Sequence, residues 1–399
     1  MSISSVCTCW WSIALLSSAI WSRISLELSP KNSWLPNVQS VLSGFLQTVE
    51  LHLHRSGQHP LTIELDISGS MDEPDNVIPC QLLAFDLVCN HSWCSFDISG
   101  NQPLSVILAK PQFDSIWNCH TLKSLGIEVA CDVDKEMELF KQANGLCSLS
   151  LAMLSGNSMP GTFWKEISSL TVESMQGKIN NVFNHANSPK ELVLGDTGDD
   201  LLPIPCVPPR SCSSVLILIL ELGPNWDYLL ADVAFSSFTF PSLSCLAIMT
   251  YYPPYPYQKT WPKATLGAFL RQSSCNLTKF AVRNVSVSDT NLIHTLKLMP
   301  SLINLYVDDT PVSDGLTSPI TSLFIRSLHG FLWTELNPSS LALVPKLYDL
   351  QVMFEGLEFD NSAFIDMVSS RWLPEGLNHS TGSTTGRARL SVTSFSTLA

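Results

Sequence analysis

Leu302-Ile303-Asn304-Leu305-Tyr306-Val307 carries the pattern on which the fold turns: an apolar residue, two variable ones, an apolar, one variable and an apolar. The same phrase returns at Trp93-Phe96-Ile98, Leu122-Leu125-Ile127, Leu146-Leu149-Leu151, Ile167-Leu170-Val172, Val215-Leu218-Leu220, Leu243-Leu246-Ile248, Leu277-Phe280-Val282 and Leu347-Leu350-Val352. Two further units fit with proline in the first slot, Pro60-Ile63-Leu65 and Pro189-Leu192-Leu194. Most phrases fall roughly 21–34 residues apart, the range occupied by stacked repeats of one strand plus one helix. Period-two alternation sends Leu305 and Val307 to one face of a strand and Tyr306 to the other. The apolar side then builds a core, and the interleaved side chains line an open face.

Helical stretches separate the phrases. Ser288 can cap a helix whose Leu292, Ile293 and Leu296 fall at helical spacing, with Pro300 stopping it. Asn361 or Ser362 opens another, with Phe364, Ile365, Val368 and Trp372 on one stripe. Strand, turn and helix recurring with parallel neighbours make an α/β fold, an irregular leucine-rich-repeat solenoid or horseshoe. Regular members of that class place an asparagine three positions after the third apolar residue, to tie the turn backbone. Here only Asn101 fills that slot, so the units are expected to be irregular. The wide step from Leu305 to Leu350 leaves room for a degenerate unit around Leu328 to Trp333.

With 45 % hydrophobic and 14 % charged residues, the 399-residue chain is core-forming. Its net charge of -13, without a local Lys/Arg cluster, disfavours nucleic acid as a partner. Twelve cysteines include no paired CxxC motifs, so they read as buried thiols in a reducing compartment, and no metal or cofactor is expected. Ile13 to Ile20 mimics a short signal peptide but has no Lys or Arg ahead of it and is broken by tryptophans. The longest apolar run, Val215 to Leu222, is strand length, so no membrane span is expected. The expected location is cytoplasmic or nuclear.

Two segments interrupt the rhythm. Tyr251-Tyr252-Pro253-Pro254-Tyr255-Pro256-Tyr257 is pinned near polyproline II geometry, as a partner-binding rim or as a rigid loop folding tyrosines over the core. Gly195-Asp196-Thr197-Gly198-Asp199-Asp200 lacks calcium-site spacing and reads as an acidic turn. His52 and His54 alternate on a strand-like stretch, as a solvated face or a two-histidine metal site, and Asp132 and Asp134 read as helix-capping residues. No nucleophile elbow, P-loop, dinucleotide fingerprint or zinc-protease motif occurs, so the chain is expected not to be an enzyme.

Val6-Cys7-Thr8-Cys9-Trp10-Trp11-Ser12-Ile13-Ala14, followed by Ser18-Ala19-Ile20-Trp21-Ser22-Arg23-Ile24, resembles the closing helix of an F-box. Phe269-Leu270-Arg271-Gln272-Ser273-Ser274-Cys275, Asn284-Val285-Ser286-Val287-Ser288-Asp289 and Phe364 to Trp372 resemble phrases of fungal F-box proteins with irregular leucine-rich repeats. That resemblance implies a substrate-recruiting subunit of a Skp–cullin–F-box ubiquitin ligase, with Val6, Trp10, Ile13 and Trp21 on the Skp-type adaptor. Such a subunit does no chemistry and acts by raising effective concentration. The Leu-Pro motif and first helices of an F-box do not precede Val6, and Thr8, Cys9 and Trp11 stand where the family often has basic residues. The alternative use of Trp10 and Trp21 is a hydrophobic cap on the first repeat. Residues 1–28 are thus read as a partial F-box remnant, 29–372 as the solenoid and 373–399 as a disordered tail. The expected contacts with a protein partner are Glu173, Arg283, Tyr306, Asp308, Gln351 and Met353 on the open face, with Tyr251 and Tyr255 at the rim. The same face would serve a repeat scaffold with no ubiquitin connection.

Overall fold

The computed structural model describes residues 8–28, 38–67, 91–100, 119–129, 140, 143–153, 163–174, 189–195, 209–223, 229–250, 261–309, 318–330, 342–355, 359–372 and 389–395. The chain divides into two compact units, the first holding residues 1–174 and 178–189, the second 175–177 and 190–399.

In the first unit, α1 (Thr8–Leu16) and α2 (Ser18–Trp21) lead into β1 (Arg23–Leu28), and α3 (Val38–Ser56) leads into β2 (Leu61–Ile67). Strands β3 (Trp93–Gly100), β4 (Ser124–Val129), β5 (Ser148–Met153) and β6 (Ser169–Ser174) follow. They pair in chain order, every neighbour parallel. The second unit runs β7 (Glu191–Gly195), β8 (Arg210–Ser211), β9 (Ile217–Leu222), α4 (Leu229–Ser237), β10 (Phe238–Thr239) and β11 (Cys245–Thr250). It continues with α5 (Lys263–Ser273), β12 (Lys279–Arg283), α6 (Asp289–Leu296), β13 (Asn304–Asp308), α7 (Ser322–Ser327), β14 (Asp349–Glu355), α8 (Asn361–Trp372) and β15 (Arg389–Phe395). Its main ladder is parallel in the order β7-β9-β11-β12-β13-β14-β15, and β8 pairs separately with β10. Helices α4 to α8 pack each against the next. The fold is α/β with parallel strands, as the alternation with helices requires.

The repeated phrase sets the register. Ile63, Phe96, Leu125, Leu149 and Leu170 stand opposite one another along β2 to β6, and Leu246, Phe280, Leu305 and Leu350 do so along β11 to β14. Every apolar position of the nine full phrases is at most 5 % exposed. A slip of one residue would turn these side chains to the open face, so burial alone fixes the pairing.

A second regularity replaces the missing asparagine. The residue after the first apolar position offers its carbonyl to the next unit, which donates two successive backbone N–H groups. The Lys123 carbonyl accepts from Cys147 and Ser148, Ser244 from Thr278 and Lys279, Thr278 from Ile303 and Asn304, and Ile303 from Tyr348 and Asp349. Where that position is Ser, Thr or Cys, its side chain adds a third bond: Ser168 Oγ to Cys147 O at 3.0 Å, Ser244 Oγ to Leu216 O at 3.1 Å, Thr278 Oγ1 to Ser244 O at 3.1 Å. Each such bond contributes on the order of 1 kcal/mol.

Several expectations are corrected. His52 and His54 lie on α3, not on a strand; two residues apart on a helix, they face different directions, His52 against the Trp21 ring (5.0 Å between centroids) and His54 to solvent. β13 pairs directly with β14, and among the described residues of that step α7 is followed by buried Leu328, while residues 331–333 of the expected degenerate unit lie outside the described residues. α6 starts where expected, with Ser288 Oγ accepting from Asn291 N at 3.3 Å, but ends at Leu296 with Lys297 as its C-cap, ahead of Pro300. α8 starts where expected but buries Ala363 and Met367, while Ile365 is 62 % exposed; Asp360, accepting from Ala363 N at 2.9 Å, is the capping side chain. Arg389–Phe395, inside the stretch read as a disordered tail, forms β15 against β14. Cys94, Cys147, Cys212, Cys245 and Cys275 are half-buried rather than core thiols, because they sit at strand starts and turns. Asn101, Asp132, Asp134, Asp196 to Asp200 and the Tyr251 to Tyr257 loop lie outside the described residues.

Gly100 ends β3 at φ +127°, and a Cβ there would overlap the Ile67 carbonyl, so the position takes only glycine. Gly267 differs. It sits in the interior of α5, and an added Cβ would make ordinary contact with Leu298 Cδ1 at 3.6 Å. Gly267→Ala should therefore stabilise the fold by about 0.5–1 kcal/mol, seen as a higher denaturation midpoint at unchanged m-value.

Candidate partner-binding site

The site residues expected on the open face of the second unit do come together. Parallel pairing sets Ala281, Tyr306 and Gln351 in one row across β12, β13 and β14, and Arg283, Asp308 and Met353 in the next. Because these side chains alternate with the apolar ones, they stand on the face away from the core. Asp308 is the hub. Its Oδ2 accepts from the Tyr306 hydroxyl at 3.0 Å and pairs with Arg283 Nε at 3.3 Å. The Tyr306 oxygen also lies 3.0 Å from Met353 Sδ. The Asp308 side chain is 2 % exposed and that of Arg283 is 47 % exposed, so an exposed guanidinium caps a buried carboxylate. Asp308 therefore braces its neighbours from beneath the face rather than standing on its surface. Burial, reinforced by Asp308, pushes the Tyr306 phenol up to about 12, which keeps it a neutral hydrogen-bond donor.

The neighbouring row is also cross-linked. Asn304 Nδ2 donates to Asp349 Oδ2 at 3.2 Å, and Gln351 Nε2 approaches the same oxygen at 3.5 Å. Asp309 follows β13, is 4 % exposed, and gives its backbone N–H to the Met353 carbonyl at 3.0 Å. Burial raises its carboxyl to about 6; the Ser318 hydrogen bond works against that shift and the Asp308 charge adds to it. Asn304, Asp309 and Asp349 were not singled out in the sequence; their one signal is position, in or beside the variable slots of a phrase.

Glu173 lies on β6 in the first unit, half-buried. That unit's open face is hydroxylic and acidic. Thr62, Ser95, Ser124, Ser148 and Ser169 share one row, and Ser25, Glu64, Asp97, Gly126, Ser150 and Thr171 the next. Arg23 pairs with Glu64, and the Asp97 carboxylate lies over Gly126 where a side chain would otherwise stand. Burial there, aided by the nearby Glu64 charge, raises the Asp97 carboxyl; Ser95 and Arg23 pull the other way.

Of the residues expected to meet an adaptor, Val6 lies outside the described residues and Trp10 is seen only as helical backbone in α1. Ile13 is half exposed, and Leu16 (87 %) and Ile20 (52 %) join it as exposed apolar side chains of α1 and α2. Trp21 turns inward. Its Nε1 donates to the Ala14 carbonyl at 2.5 Å, and the Arg55 guanidinium stands 4.3 Å over its ring.

Comparison with protein-family models gives no match, and comparison with curated proteins gives none either. The chemistry of the site therefore stands alone. Its carboxylates are engaged by Arg283, Tyr306, Asn304 and Ser318, with the buried Asp349 Oδ1 left without a hydrogen-bond partner among the described residues. Among the described residues no group of three or more His, Cys, Asp or Glu is placed to hold a metal, and no helix is long and apolar enough to cross a membrane. What the arrangement offers a ligand is a firm surface of Arg283, Tyr306 and Met353, residue types enriched at protein–protein interfaces, with Gln351 beside them.

Proposed function

We propose that this chain is a non-enzymatic protein-binding adaptor, an irregular leucine-rich-repeat solenoid that holds a partner on the open face of its strands. The observation that carries this reading is the convergence of Arg283, Tyr306, Gln351 and Met353 on adjacent strands, braced from beneath by a buried carboxylate. Parallel strands in chain order, with helices packed in the same order, are what a stacked repeat produces and support the solenoid. The resemblance of the first residues to an F-box extends the proposal to substrate recruitment for a Skp–cullin–F-box ubiquitin ligase in the cytoplasm or nucleus. Exposed Ile13, Leu16 and Ile20 supply an apolar surface for a Skp-type adaptor.

One observation favours a second reading, a repeat scaffold without a ubiquitin connection. Half-buried Trp21 packs against α3, with His52 at its edge and Arg55 over its ring, in contacts an adaptor would have to share. Affinity capture of the Skp-type adaptor by the wild type and by Ile13→Asp/Ile20→Asp separates the two. These side chains are exposed, so the variant keeps the fold. Adaptor recovered by the wild type and lost by the variant is the expected result; no adaptor with either protein would leave the scaffold.

A further inference from the structure

The helix layer of the second unit carries a feature that the sheet-face reading does not use. Between α5 and α6 lies a pocket of about 310 Å³ lined by Lys263, Ala264, Gly267, Arg271, His294 and Leu298. Lys263, Gly267 and Arg271 follow at intervals of four on one face of α5, while His294 stands in the last turn of α6 and Leu298 two residues past its end. Gly267 is buried at its floor beside Leu298, with Arg271 Nη1 3.7 Å from where a Cβ would stand, and exposed Lys263, Arg271 and His294 bring three nitrogen-bearing side chains to its rim. In a chain with 35 acidic and 22 basic residues, no carboxylate lines this pocket. The acids of the neighbouring elements are engaged elsewhere: Asp232 accepts from the Thr265 hydroxyl at 2.5 Å and Asp289 from the Thr321 hydroxyl at 2.7 Å. Among the described residues Lys263 and Arg271 have no carboxylate partner.

We propose that this pocket binds the phosphate of a phosphate monoester. Arg271 can take two phosphate oxygens in its planar fork, Lys263 supplies a point charge, and the imidazole of His294 supplies an N–H. The apolar floor receives the organic part of the ester. The site is independent of the sheet face, so neither stands or falls with the other.

Calorimetric titration of the full-length chain tests it, with phenyl phosphate and inorganic phosphate as probes and phenyl sulfate as the singly charged control. Saturable binding of phenyl phosphate is expected, at least tenfold weaker in Lys263→Ala/Arg271→Ala and several-fold weaker for phenyl sulfate. Leu298→Ser, which keeps the three nitrogen-bearing side chains but makes the floor polar, should weaken phenyl phosphate more than inorganic phosphate. Equal affinity for the two phosphates in the wild type would assign the site to the free ion rather than to an ester. Absence of saturable phosphate binding, or affinity unchanged in both variants, would overturn the proposal.

Discussion

Phe269→Ala should lower the unfolding free energy of the second unit by about 3–5 kcal/mol, the largest loss expected of any single truncation here. Phe269 is fully buried on α5, with its ring 4.8 Å from that of Phe235 on α4 and 5.9 Å from that of Phe240 after β10. Truncation removes the transfer energy of an aromatic side chain and two ring contacts. The rings that remain are held by separate elements and cannot collapse together into the void. Ser273, one helical turn further, holds Phe240 N at 3.1 Å, so the void also loosens the end of α5. Chemical denaturation followed by tryptophan fluorescence gives the value, and a loss below about 1 kcal/mol would mean that α4 and α5 are not packed this way.

Asp309→Asn should do the opposite, and only above acidic pH. A carboxyl raised by burial from its ordinary value near 3.8 to about 6 disfavours the charged form in the folded chain. The unfolded chain therefore releases its proton first, and the fold loses stability as pH rises from about 4 to about 6. Above that window the penalty is constant at roughly 2–3 kcal/mol. Asparagine keeps an acceptor for Ser318 and abolishes the charge. It should leave stability at pH 4 almost unchanged and raise it by roughly that amount at pH 7–8. Denaturation of wild type and variant at both pH values measures the difference of differences; equal changes at the two would mean that Asp309 is solvated.

How much of this was legible depends on which residues are asked. The apolar phrase announces itself because each unit must bury the same three positions, so β2 to β7, β9 and β11 to β14 follow from spacing alone. Trp21-Ser22-Arg23-Ile24-Ser25-Leu26 obeys the same rule and forms β1, with Ile24 opposite Ile63 and Leu26 opposite Leu65. Its likeness to another motif hid it in the segment read as an F-box remnant. β15 lacks an apolar residue in the first slot, where Arg387 stands, and sits in a Ser/Thr-rich stretch whose composition suggests a loop. Its Leu390 and Val392 nevertheless fall opposite Leu350 and Val352. His52 and His54 misled because period two over three residues does not discriminate; the apolar Val49 and Leu53, buried along α3, carry the helical period.

The candidate site was legible as a list but not as a network. Alternation puts Arg283, Tyr306, Asp308, Gln351 and Met353 on one face. Only cross-strand register shows that Asp308 is the buried brace and the others are the surface. The bonds made by Arg371 show the same limit. Its guanidinium holds the Leu343 carbonyl at 2.5 Å and the Val344 carbonyl at 3.2 Å, and its Nε the Leu328 carbonyl, so a residue quoted for its family likeness acts as a latch between loops.

The most direct test of the central claim is site-specific photo-crosslinking in the native cell, with a photoreactive amino acid replacing Gln351 on the open face. A matched probe replaces Leu323 on α7, which is 53 % exposed. The account predicts a discrete protein adduct from position 351 and none of that mass from position 323. The same adduct from both positions, or none from position 351, would contradict binding through the open face of the strands.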